Sequence, residues 1–68
     1  MKIKSIKKYS YYKVELEDSE KNEVYSIHVL QTDEGKIIPM EEGDYYIMQK
    51  FGGNEKFNNE FEEKIKEQ

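Results

Sequence analysis

The stretch PMEEGDYYIM, Pro39–Met48, decides how this chain folds, because two acids and a Gly-Asp pair lead abruptly into an aromatic and aliphatic run. Gly43-Asp44 is either a functional site or a turn that feeds a strand. As a turn, Gly43 supplies an unusual backbone conformation, Asp44 bonds a nearby amide in an Asx-type arrangement, and YYIMQKF, Tyr45–Phe51, begins a buried strand. On that reading Gly43→Val lowers stability, since a β-branched residue conflicts with positive φ. As a site, Asp44 would be a ligand or a catalytic carboxylate. No histidine, nucleophile or glycine-rich phosphate loop stands near it in the chain, so the structural reading outweighs the functional one.

Working outward, TDEG (Thr32–Gly35) reads as a turn and KIIPM as a short strand, whose Pro39 lacks an amide proton and belongs at an edge or a strand end. Upstream, YKVELED alternates with Tyr12, Val14 and Leu16 on one face, and VYSIHVL alternates with Tyr25, Ile27 and Val29. The polar DSEKN between them makes the pair an antiparallel hairpin. MKIKSIKKY has Ile3 and Ile6 three apart, which predicts a further strand with a bulge or bend. Downstream, GGN tolerates positive φ, and EKF returns as a brief strand. Phe57, Phe61 and Ile65 then recur every four residues, so a C-terminal helix presents an apolar stripe, with Asn59 and Glu62 as its capping box. The expectation is a single domain over residues 1–68 of α+β class: a small, bent, mostly antiparallel sheet of four or five strands packed against one C-terminal helix. The core candidates are Tyr12, Val14, Leu16, Tyr25, Ile27, Val29, Ile38, Tyr46, Met48, Phe57, Phe61 and Ile65.

Chain composition narrows the chemistry. At 68 residues the apolar core is thin, and without cysteine neither a disulfide nor a thiolate metal site can staple it. A single histidine, His28, cannot form an imidazole cluster, and DEG and EEGD lack the further oxygen ligands of a calcium loop. Eleven lysines and no arginine leave only hydrated point charges as cations, without the bidentate fork that reads guanine or clamps phosphate. The absence of alanine and tryptophan beside abundant Lys, Asn, Ile, Tyr and Glu is the signature of an AT-rich genome. Residues 1–14 carry five lysines and no acid, whereas residues 15–68 carry six lysines against 15 acids, so a basic strip is attached to an acidic body. No apolar run approaches membrane-spanning length and no signal-peptide pattern is present, which predicts a cytoplasmic protein that binds no membrane.

The run from Leu30 to Ile65 resembles a small module common in phage and prophage proteins, with a Thr-x-x-Gly turn, then Gly-Asp-aromatic-x-Ile, a Gly-containing turn and a late Phe. Thr32 and Gly35 match the first element, Gly43, Asp44, Tyr45 and Ile47 the second, Gly53 and Glu55 the third, and Phe61 the last. The chain departs from that pattern at Glu42, where the module has proline, in the longer GGNE, and at Ile65, where it has tyrosine. The resemblance covers about half the chain and implies a phage or mobile-element origin rather than a chemistry.

Nothing in the chain assembles a nucleophile, base and oxyanion stabiliser, so the expectation is a non-enzymatic protein without cofactor, catalytic residue or metal site. The leading reading is an accessory protein that binds and inhibits or redirects a host macromolecule, a defence or nucleic-acid-processing factor, with a host protein as partner. Its candidate surface is the acidic set Glu15, Glu17, Asp18 and Glu20, near Glu23, with Glu41, Glu42 and Asp44, whose ordinary reading is a solvated edge that charge protects from aggregation. Lys2, Lys4, Lys7 and Lys8 interleaved with Tyr9 and Tyr11 form an alternative strip, in which lysines track phosphates and tyrosines stack on bases. Direct nucleic-acid binding ranks lower, because the acidic remainder repels a polyanion within a Debye length of about 8 to 10 Å. Two other classes stand beside these: an oligomeric module that sequesters a nucleotide-like ligand through Lys and Tyr, and a minor structural or assembly protein. A homodimer is a further expected arrangement, since so small a core gains from a partner.

Overall fold

Three strands and two helices follow one another in the computed structural model, which describes residues 1–67: β1 (Ser10–Asp18), β2 (Glu23–Gln31), β3 (Ile37–Pro39), α1 (Glu42–Phe51) and α2 (Asn54–Lys66). The class is α+β. The sheet is antiparallel in the order β1-β2-β3, with Tyr12 opposite Val29, Val14 opposite Ile27 and Leu16 opposite Tyr25, so the expected hairpin forms with its expected inner face. Asp18 closes its tip by accepting the amides of Glu20 and Lys21 at 3.1 and 3.3 Å, and Asn22 takes the left-handed φ of 54° that asparagine tolerates. TDEG is also the turn it reads as. The Gly35 amide donates to the Thr32 carbonyl at 2.9 Å, and the Lys36 amide donates to the Thr32 hydroxyl at 3.1 Å.

The sheet has three strands rather than four or five, and the helical layer has two helices rather than one. Tyr45–Phe51 is the decisive correction: it is helical, not a strand. Asp44 and Met48 are buried and Ile47 and Phe51 half-buried, a spacing of three and four, while Tyr45 and Tyr46 point outward with 45% and 60% exposure. Gly43 is no turn residue. It lies in the first turn of α1 outside the positive-φ region, and a Cβ there would meet nothing within 4 Å. GGN does take positive φ, at Gly52 (138°) and Gly53 (96°), but it joins two helices instead of two strands. The Gly52 amide donates to the Gln49 carbonyl and the Gly53 amide to the Met48 carbonyl, the pair of bonds that closes a helix through glycine.

Two further expectations fail. EKF belongs to α2, which starts at Asn54 after Gly53, so Asn59 is a helix-interior residue and no capping box forms with Glu62. Residues 1–9 join no strand, leaving Ile3 and Ile6 exposed at 76% and 84%. The core consists of Ile27, Val29, Ile37, Met48, Phe57 and Phe61, with Tyr12, Val14, Leu16, Ile47 and Phe51 packed at its margin. Ile37 is buried where Ile38 was expected; Tyr46 is exposed because its segment is helical, and Ile65 remains 37% exposed. Aromatic contacts tie the layers: Tyr12 meets the Phe61 ring edge-on at 5.0 Å, and Phe57 lies 5.9 Å from Phe51 and 6.1 Å from Phe61. Each fully buried side chain among these contributes about 2 kcal/mol of transfer free energy.

Candidate functional site: an acidic groove beside β1

The two edges of the sheet are unlike. β3 is three residues long, ends in Pro39 and pairs with β2 only from Val29 to Gln31. Such an edge is short and partly stripped of donors. β1 is nine residues long, and among the described residues no strand pairs with its outer side, so alternate amides and carbonyls along it lack a strand partner. Its inner face carries Tyr12, Val14 and Leu16, all half-buried, and α2 stands opposite with Phe61 and Ile65.

Between them runs a groove of about 660 Å³. Its wall on the sheet side is the unbroken run Tyr12–Glu17, residues of both faces, which means that it follows the backbone edge of β1 rather than one face. The floor is apolar and the rim is acidic. Glu15 and Glu17 from β1 and Glu60, Glu63 and Glu67 from α2 border it, against Lys13 and Lys64. Lys64 is held by Glu67 at 3.3 Å. Among the described residues no other ion pair forms, so Glu15, Glu17, Glu60 and Glu63 keep uncompensated charge.

The acidic residues singled out from the sequence do not form one patch. Glu15 and Glu17 border the groove, whereas Asp18 holds the hairpin tip, Glu20 is exposed in the tip loop and Glu23 accepts the Tyr25 hydroxyl. That bond, with desolvation and the charges of Glu23 and Asp18, raises the Tyr25 phenol above its ordinary pKa. Glu41 and Glu42 lie at the start of α1, near His28 and about 17 Å along β2 from the hairpin tip, counting about 3.4 Å per residue. Asp44 is 8% exposed; its carboxylate accepts the His28 amide at 3.1 Å and the Glu41 amide at 3.0 Å. Its oxygens are engaged by the backbone.

Lys2, Lys4, Lys7, Lys8 and Tyr9 lie on the exposed segment before β1. Tyr11 sits on the sheet face opposite the helices, stacked on His28 at 5.8 Å with its hydroxyl 2.5 Å from the ring Nδ1. Neither the lysines nor the tyrosines of the basic strip line the groove beside β1. Glu60 and Glu63 were missed as site residues. Their signal was the recurrence of Glu60, Glu63 and Glu67 beside the Phe57, Phe61 and Ile65 stripe, but nothing local told which strand that side of the helix would face. Among the described residues no group of three or more carboxylates and imidazoles is placed to hold a metal ion, and no helix is long and apolar enough to cross a membrane. No protein-family model, curated protein or solved structure matches the chain.

Proposed function

We propose that this chain is a non-enzymatic binding module whose groove takes up an extended segment of a partner protein, in a phage-type accessory role directed at a host macromolecule. One observation carries the reading: the long unpaired edge of β1 coincides with the apolar, acid-rimmed groove. A segment entering there adds a strand to the sheet, satisfies the free backbone groups of β1, and places alternate side chains against Leu16, Phe61 and Ile65. Backbone bonds supply affinity without regard to sequence. Selectivity comes from the rim, whose unpaired carboxylates favour lysine or arginine next to aliphatic residues and speed encounter with a basic segment.

The test is an NMR titration with two extended peptides of equal length, one alternating lysine and isoleucine, the other glutamate and isoleucine. The basic peptide is expected to shift the amides of Tyr12–Glu17 and Phe61, and Glu15→Lys with Glu17→Lys to abolish the response. Equal responses to both peptides, or shifts confined to the Tyr11 and His28 face, would overturn the proposal.

A further inference from the structure

Hydrogen bonding within the sheet fixes which backbone groups β1 leaves free. The Met40 amide donates to the His28 carbonyl at 3.1 Å, and Leu30 stands opposite Ile38 in the same ladder, so His28 and Leu30 turn their backbone groups toward β3. Successive residues of a strand turn these groups to opposite sides. Ile27 and Val29 therefore bond toward β1, where they engage their partners Val14 and Tyr12. The open side is left with the amides and carbonyls of Tyr11, Lys13, Glu15 and Glu17. Their side chains stand exposed on the sheet face away from the helices, while Tyr12, Val14 and Leu16 turn into the groove.

Charge changes sign once along this edge. Residues 1–14 carry five lysines and no acid, the last of them Lys13, and Glu15, Glu17, Asp18 and Glu20 then follow before Lys21. We infer that the groove selects its partner segment by direction as well as by composition: the segment enters antiparallel to β1, with basic residues in its N-terminal half and an acid in its C-terminal half. The inference rests on the groove reading above and deepens it.

Two features favour the antiparallel direction. Both strand pairs of the sheet are antiparallel, a geometry slightly stronger per residue than the parallel one. Parallel strands are as a rule buried on both faces, whereas the outer face of β1 is exposed. In the antiparallel register the segment reads, from its N-terminus, basic opposite Glu17, apolar opposite Leu16, basic opposite Glu15, apolar opposite Val14 and acidic opposite Lys13. Each charged residue exchanges both backbone bonds with its β1 partner, and each apolar residue turns toward Phe61 and Ile65. The same segment in reverse order sets an acid against Glu17 and a base against Lys13. Slipping it by two residues restores the carboxylate pairs, but it carries the acid to the hairpin tip and leaves Lys13 facing no acid.

NMR titration of the full chain with two end-blocked peptides of identical composition tests this. Lys-Ile-Lys-Ile-Glu-Ile matches the edge in the antiparallel direction, and Glu-Ile-Lys-Ile-Lys-Ile matches it only in the parallel one. The first is expected to bind about fivefold tighter, since the pairs at Glu17 and Lys13 turn from repulsive to attractive. Lys13→Glu together with Glu17→Lys should reverse the preference. On the unaltered chain, N-methylation of the first peptide's second lysine, opposite Glu15, should weaken binding at least about tenfold, because it removes a bond to β1. N-methylation of its second isoleucine, opposite Val14, should cost less than about twofold, because that amide points away; parallel entry inverts the contrast. A preference for the second peptide, or the inverted contrast, overturns the inference. Equal shifts of the β1 amides by both peptides overturn the directional selection and leave the groove reading standing; if neither peptide shifts Tyr12–Glu17, both fail.

Discussion

Asp44 couples the sheet to the helix that follows it. β3 ends at Pro39, so past that point β2 has lost its neighbouring strand; the Met40 amide still reaches the His28 carbonyl at 3.1 Å, and the Asp44 carboxylate takes the His28 amide. The same carboxylate holds the amide of Glu41, the residue that caps α1. A side chain thus stands in for a missing strand residue and a helix cap together. Asp44→Ala leaves both donors without this acceptor and is expected to lower stability by about 2 to 3 kcal/mol, with Asp44→Asn intermediate because the amide oxygen replaces one acceptor only. Urea denaturation measures both. Equal stability of the alanine variant would show that water replaces the carboxylate without loss. The Gly-Asp pair was legible as a structural feature because a lone carboxylate beside a glycine has no catalytic company. Its partner was not legible, since His28 lies 16 residues away in the chain.

At the scale of elements, α1 shows why a short apolar run misleads. YYIMQKF opens with four consecutive apolar residues and closes on Phe51, so strand and helix periods fit it alike. The length of the element and the use of its glycines decide. Gly43 sits in the first helical turn with open space at its Cβ position, so Gly43→Ala should raise stability by about 0.5 kcal/mol through helix propensity, and Gly43→Val should be near neutral rather than damaging. Gly52 is the opposite case. Its φ of 138° disfavours any side chain, and a Cβ would come within 2.6 Å of Lys56 Cδ, so Gly52→Ala should lose about 1 kcal/mol or more. Thermal unfolding of the two alanine variants reads the contrast directly. Loss at Gly43 and none at Gly52 would restore the turn-and-strand arrangement.

For the whole molecule, the distribution of acids matters more than the net charge of −4. Glu17 borders the groove and Glu20 projects from the hairpin tip, three residues apart in sequence and on different surfaces of the protein. Glu17→Lys should therefore weaken uptake of a lysine-isoleucine peptide by about three- to tenfold, and Glu20→Lys by less than about twofold, with both leaving stability within about 0.5 kcal/mol. Isothermal titration at low and moderate salt measures the split, and matching losses would mean that the hairpin acts as one diffuse acidic field. The hairpin, its inner face and the Phe57 and Phe61 stripe were determined by the sequence itself, because the periods of two and of nearly four residues are properties of the local backbone. So was the separation of a basic strip from an acidic body. The tertiary structure alone decided that Tyr45–Phe51 is helical, that β1 ends as an open edge, and that the acids of α2 face it across a groove. Those outcomes depend on which elements remain to cover a strand once the helices have packed, a competition among distant surfaces that no local period records.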